Sequence, residues 1–337
     1  MKSSSPALGE GKLPQAILSR LLRLTSRAPE ILVPAEAGED AAVVLGHERL
    51  VITADPITFT EENIGTYTVA VNCNDIVAMG GRPVYLTTTL LLPVGTTETR
   101  LRSIFKEIET AARNAGILWV GGHTEVTSAV NRIVVSAQAV GFLAKEPTTT
   151  AGARPGDLLV MTKWVGLEGT TLIARERPQE ARRLLGNRAY RQVFRWLEAP
   201  GISIIAEGRI LDGFPLSAAH DPTEGGVATG IHEIAARSGV GVTVDWQRLP
   251  LREETVLLCG HFGLDPLGLL SSGVFLFTLE AEQALKACRK LEALGIPASV
   301  LGTINSRRGK VLISKDGKLR DLPLYVQDEI IKVQRRQ

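Results

Sequence analysis

The sequence has 337 residues, 44% hydrophobic and 22% charged, with 38 basic and 36 acidic side chains and a net charge of +2. That length points to about two domains, each with enough apolar surface for a core of its own. The balanced charge excludes a nucleic-acid footprint, and no apolar run approaches the roughly 20 residues needed to cross a membrane.

Met1–Glu10 is rich in Ser, Gly and Pro, and the N-terminal stretch lacks the apolar core of a signal peptide. Cys73, Cys259 and Cys288 form no C-x-x-C pair, which fits a reducing, cytoplasmic setting. A helix is predicted from about Leu13 to Leu24, then strands at Ala42–Leu45 and Leu50–Thr53 about a turn at Gly46-His47-Glu48. The next helix runs from Ile64 to Met79 and stops at Gly80-Gly81, with Pro83 behind it. Val84–Leu92 reads as a strand. From Glu98 to Ala115, an apolar stripe of Leu101, Ile104, Phe105, Ile108 and Ala112 marks an amphipathic helix closed by Gly116. Strands at Leu118–Val120 and Ile133–Phe142 complete a first half.

A boundary is expected near Ala144–Gly156, where Pro147, Gly152, Pro155 and Gly156 cluster, giving domains at 1–150 and 151–337. Strand Leu158–Thr162 opens the second half. Helices follow near Pro178–Leu197, Ser203–Leu211, Gly225–Ser238 and Ala281–Leu294, with strands at Val240–Trp246, Val274–Leu279, Ala298–Ile304 and Lys310–Ile313. The Arg175–Arg195 stretch is locally basic but interleaved with Glu176 and Glu180, as on a solvated helix face. Mixed strands and helices in both halves make the fold class α/β (α+β).

No P-loop, dinucleotide-binding glycine fingerprint, H-E-x-x-H zinc motif or G-x-S-x-G nucleophile elbow occurs. A nucleotide bound here must be held in another way. Gly38-Glu39-Asp40-Ala41-Ala42 precedes a strand, and its carboxylates suit magnesium unless they only cap the turn. Asp55 ends an apolar strand before Pro56, as a cleft ligand or a turn residue. Asn72, Asn74 and Asp75 interrupt an apolar helix and demand partners, which a magnesium-phosphate site or an exposed polar stripe would supply. His220-Asp221-Pro222-Thr223-Glu224-Gly225-Gly226 leads into a helix whose start offers free N–H groups to phosphate, or is a plain cap. Gly121-Gly122-His123-Thr124-Glu125 is a candidate phosphate-facing loop; its histidine is an acid–base candidate or a structural residue.

The order of these segments resembles the PurM-like superfamily: G-E-D-A, an aspartate at a strand end, N-D-I-V-A-M-G-G-R-P, G-G-H-T-E, then D-P-T-E-G-G. The resemblance starts at Gly11-Lys12-Leu13-Pro14, includes T-K-W-V-G-L-E-G-T from Thr162, and is nearest to HypE and the AIR-synthase-related proteins. HypE proteins end in a cysteine; this sequence ends in Lys332–Gln337, its last cysteine is Cys288, and His123 stands where HypE has an aspartate.

The resemblance implies a homodimer whose N-terminal sheets share a β-barrel, with ATP and Mg2+ in a cleft beside the glycine-rich segments. It implies metal ligation by Asp40, Asp55, Asp75 and Asp221. Lys12, Asn72, Gly121, Gly122, Thr124, Gly225 and Gly226 join those four in the nucleotide set, and His123 and Asp75 are the catalytic candidates. The expected activity is ATP-dependent phosphoryl transfer to a small molecule, or its phosphate-activated cyclisation or dehydration. The alternative is a nucleotide-loaded maturation or assembly factor working through a protein partner.

Overall fold

The structure, a computed structural model, describes residues 15, 19, 29, 31–34, 36–45, 49–58 and 60–335. Lys12, most of the helix expected over Leu13–Leu24, and the turn at 46–48 lie outside them. The first half builds a six-stranded sheet from β1 (Ile31–Val33), β2 (Ala42–Leu45), β3 (Arg49–Ile57), β4 (Arg82–Pro93), β5 (Leu118–Thr127) and β6 (Val134–Leu143), in the order β1-β2-β3-β6-β4-β5. Pairing is antiparallel except between β4 and β5. Strand β6 alternates buried and half-buried residues along its length, as expected when one face lies under helices. Those helices are α1 (Ile64–Ala78) and α2 (Glu98–Ala115). They pack closely because Gly65 has no side chain: a Cβ there would fall 2.4 Å from the main chain of Glu107.

Helix α2 is amphipathic, capped by the Thr97 hydroxyl at its start and by Gly116 in the left-handed conformation at its end, as its sequence predicts. Helix α1 is different. Nearly all of it is buried, Asn72, Asn74 and Asp75 included, because it lies between the first sheet and the second half of the chain.

The second half forms a seven-stranded sheet, β13-β12-β9-β11-β7-β10-β8. Its strands are β7 (Leu158–Thr162), β8 (Ala218–His220), β9 (Gly241–Asp245), β10 (Leu276–Leu279), β11 (Ala298–Asn305), β12 (Val311–Lys315) and β13 (Lys318–Asp321). Helices α3 (Leu167–Glu176), α4 (Pro178–Phe194), α7 (Glu253–Phe262) and α8 (Ala281–Ala293) share a core with the first half, which Val160 and Phe277 enter from the sheet. Helix α6 (Gly226–Ser238) packs with Leu159, Met161 and Leu276 into a second core. Covered on both faces, β7 and β10 are largely apolar and almost wholly buried. Two short helices, α5 (Ile205–Leu211) and α9 (Ile331–Gln334), complete the described chain.

Helix α3 has no counterpart among the predicted elements. Gly169, Thr170 and Thr171 are poor helix formers in isolation, yet here both threonine hydroxyls return to main-chain carbonyls of Gly166 and Leu167 within a buried turn. Strand β5 corrects another expectation. Gly121-Gly122-His123-Thr124 is extended and paired to β4, not a loop. A Cβ on Gly122 would lie 1.8 Å from the Thr88 carbonyl oxygen, so this glycine serves close strand approach.

Candidate functional site

Asp40, Asp75 and Asp221 come from the turn before β2, the end of α1 and the residue after β8. Each offers a carboxylate oxygen, and the three oxygens lie within 4.8 Å of one another. They line one cleft with Glu39, Asp55, Tyr67, Glu168, His220, Thr223 and Glu224, over apolar walls that include Ile57, Val71 and Leu270. The cleft is open to solvent and has a volume of about 210 Å3, the scale of the phosphate end of a nucleotide with its cations.

Asp75 and Asp40 are held from behind. The Thr53 hydroxyl donates to Asp75 Oδ2. His220 is buried, with Nδ1 2.8 Å from Asp40 and Nε2 2.7 Å from Glu233 of α6. Burial alone would lower the His220 pKa, but Asp40 and Glu233 outweigh it and hold the ring well above its ordinary value, as an imidazolium between two carboxylates. The turn carrying Asp40 is tied to α6 by Arg237, whose guanidinium donates to Glu36 at 2.5 Å and to Glu39 at 2.6 and 3.0 Å. Asp55 shares the cleft but stands outside the close group of three. Its main-chain N–H donates to Asn72 Oδ1 at 2.9 Å.

Burial first, and then the charges of Asp221, Asp55 and Asp40, push the Asp75 pKa well above the carboxylate range. Asp40 Oδ2 is buried and accepts no hydrogen bond from the protein. Packed carboxylates with an unsatisfied inward oxygen suit a hard divalent cation such as magnesium, which takes oxygen ligands and relieves the mutual repulsion.

Several expected ligands fall elsewhere. Asn72 and Asn74 are buried without reaching the cleft: Asn72 bonds to the main chain of Thr68 and Asp55, and Asn74 to that of Ile202 and Ile204. Neither a phosphate nor an exposed stripe satisfies them. The Gly225 N–H at the start of α6 donates to the Asp328 carboxylate at 2.8 Å, and the Gly226 N–H to the Thr223 carbonyl, so the expected free donors are already engaged. Gly121, Gly122, His123 and Thr124 are absent from the cleft lining of this chain. His123 is exposed on β5, 3.2 Å from Glu125. Conversely, Tyr67, Glu168 and Arg237 belong to the cleft or its support without having been singled out from the sequence, and His220, quoted within its segment, was given no role there. His220 adjoins Asp221, a histidine–aspartate pair that could have flagged it.

Comparison with known proteins agrees with this architecture. Residues 38–143 match the family described as AIR synthase related protein, N-terminal domain, and residues 154–315 match its C-terminal domain. A putative hydrogenase expression/formation protein of Methanocaldococcus jannaschii is 25% identical over 88% of both chains. The carbamoyl dehydratase HypE of Rhodobacter capsulatus is 30% identical over 83% of both chains. A crystal structure of the hydrogenase maturation protein HypE in complex with ATP is 26% identical, with a TM-score of 0.70 over 87% of this chain and 90% of the other. With both domains matched in order on two fused α/β halves, this chain belongs to the AIR synthase-related, PurM-like family.

Proposed function

We propose that this protein binds Mg-ATP in the three-aspartate cleft and uses it to phosphorylate an oxygen atom of a small molecule, driving dehydration of a carbamoyl-type group. The observation that carries this proposal is the convergence of Asp40, Asp75 and Asp221, far apart in sequence, to within 4.8 Å. Support for ATP comes from the HypE structure solved with it, and support for dehydration from the name of the Rhodobacter capsulatus relative. Asp40, Asp75 and Asp221 would hold magnesium, with Asp55 beside them, and the ion would neutralise phosphate charge. What the protein supplies is positioning: an imidazolium that fixes Asp40, a hydroxyl that fixes Asp75, and a buried cleft where fixed charges act strongly.

Calorimetry with Mg-ATP, followed by assay for ADP and phosphate, tests the proposal. Wild type is expected to bind, and Asp75→Asn to lose at least tenfold in affinity. It is also expected to melt higher than wild type without magnesium, because one charge of a repelling cluster is gone. Equal Mg-ATP affinity in the two proteins would contradict it. The same proposal includes a homodimer built through the exposed edge of the first sheet.

A further inference from the structure

Two polar groups of the cleft belong neither to the aspartate cluster nor to its supports. Tyr67 Oη and Glu168 Oε2 are both buried and have no hydrogen-bond partner in the protein. Buried polar atoms are nearly always satisfied, and an exception facing a cleft calls for a ligand. Glu168 is fixed by Ser272, which leaves its other oxygen open. Tyr67, Val71 and Asp75 all line the cleft from successive turns of α1. Two turns separate Tyr67 from Asp75, about 12 Å at the helical rise, which leaves room for a phosphate and a small acceptor between them. Tyr67 and Glu168 are near enough that burial, and then the Glu168 charge, raise the phenol pKa. Glu224 and Asp328 add negative potential around Glu168. That end of the cleft offers two buried oxygens without donors and favours a neutral group bearing N–H donors.

We propose that Tyr67 and Glu168 form the acceptor subsite and bind the NH2 end of a primary amide. Glu168 Oε2 accepts one N–H and Tyr67 Oη the other, which leaves the amide oxygen turned along α1 toward the aspartates. This assignment rests on the Mg-ATP function proposed above. It adds a rule for specificity: amides bind and the matching acids do not, because an acid has no N–H donors for the two unsatisfied oxygens and would bring a charge into a buried site.

The experiment uses the full chain with Mg-ATP and a panel of acetamide, propionamide, asparagine and glutamine against acetate, propionate, aspartate and glutamate, following ADP release. At least one amide is expected to stimulate turnover while its matching acid does not. Glu168→Leu and Tyr67→Phe are each expected to raise the KM for that amide at least tenfold, with kcat less affected and the Kd for Mg-ATP within about twofold of wild type. Tight Mg-ATP binding without stimulation by any amide would overturn the subsite alone, as would wild-type KM values in both variants. Failure of wild type to bind Mg-ATP would overturn the Mg-ATP function itself and the subsite with it.

Discussion

Glu168 lies wholly inside the protein, and burial lifts its pKa from 4.5 to about 8 against the hydrogen bond from Ser272. Between those values the folded state holds a proton that the unfolded chain has released. Stability therefore falls as pH rises from about 4.5 to about 8, and levels off above. Glu168→Gln removes this dependence. Its melting temperature is expected to exceed that of wild type by a margin that is small near pH 5 and grows up to pH 8, measured by thermal melts across that range. A margin independent of pH would contradict it. At this scale the three clustered aspartates were legible because carboxylates beside glycine, at a strand end or inside an apolar helix have few structural uses. Glu168 and Tyr67 were not, since L-E-G-T-T does not read as a helix and a tyrosine among valines reads as core. Asn72 and Asn74 show a further limit. A buried amide needs partners, but main chain satisfies that need as well as phosphate does.

Among the elements, the turn from β7 into α3 is held by a buried ion pair. Lys163 Nζ lies 2.8 Å from Glu207 of α5 and also donates to the carbonyls of Ser203 and Gly273. Both side chains are almost fully buried, at 3% and 1% exposure. Lys163→Met would leave Glu207 as an unpaired interior charge, with an expected cost of about 3–5 kcal/mol. Lys163→Met with Glu207→Leu is expected to recover much of that loss, and denaturant titration of wild type and the two variants measures the difference. Sequence located most helices but not the length of β5. Gly121 and Gly122 resemble a phosphate loop until the Thr88 main chain is seen to occupy the space beside Gly122. The information that decides between loop and strand there resides in β4, not in the segment itself.

For the molecule as a whole, β5 is one of the two edges of the first sheet among the described residues and is exposed almost throughout. Leu118, Val120 and Val126 are 61%, 58% and 57% exposed on it. An apolar strand edge of this kind invites pairing with another chain. The proposed dimer therefore predicts a two-chain mass by sedimentation, and a shift toward one chain when Val120 and Val126 are both changed to lysine. A single-chain mass for wild type would remove the shared barrel. The two-domain α/β organisation was readable from patterning in each half. The way the halves meet was not, because α1 carries apolar residues on every side and gives no sign of which neighbour covers which side.

Asp40 and Asp75 hang from the first sheet and its helix, while Asp221 hangs from the second sheet. The proposed metal locus is thus a seam between two halves. Sliding one half past the other by the width of a water molecule would part the three oxygens, whereas loosening either half internally need not. Under the proposed function, cation affinity would be in effect a caliper set across the two halves.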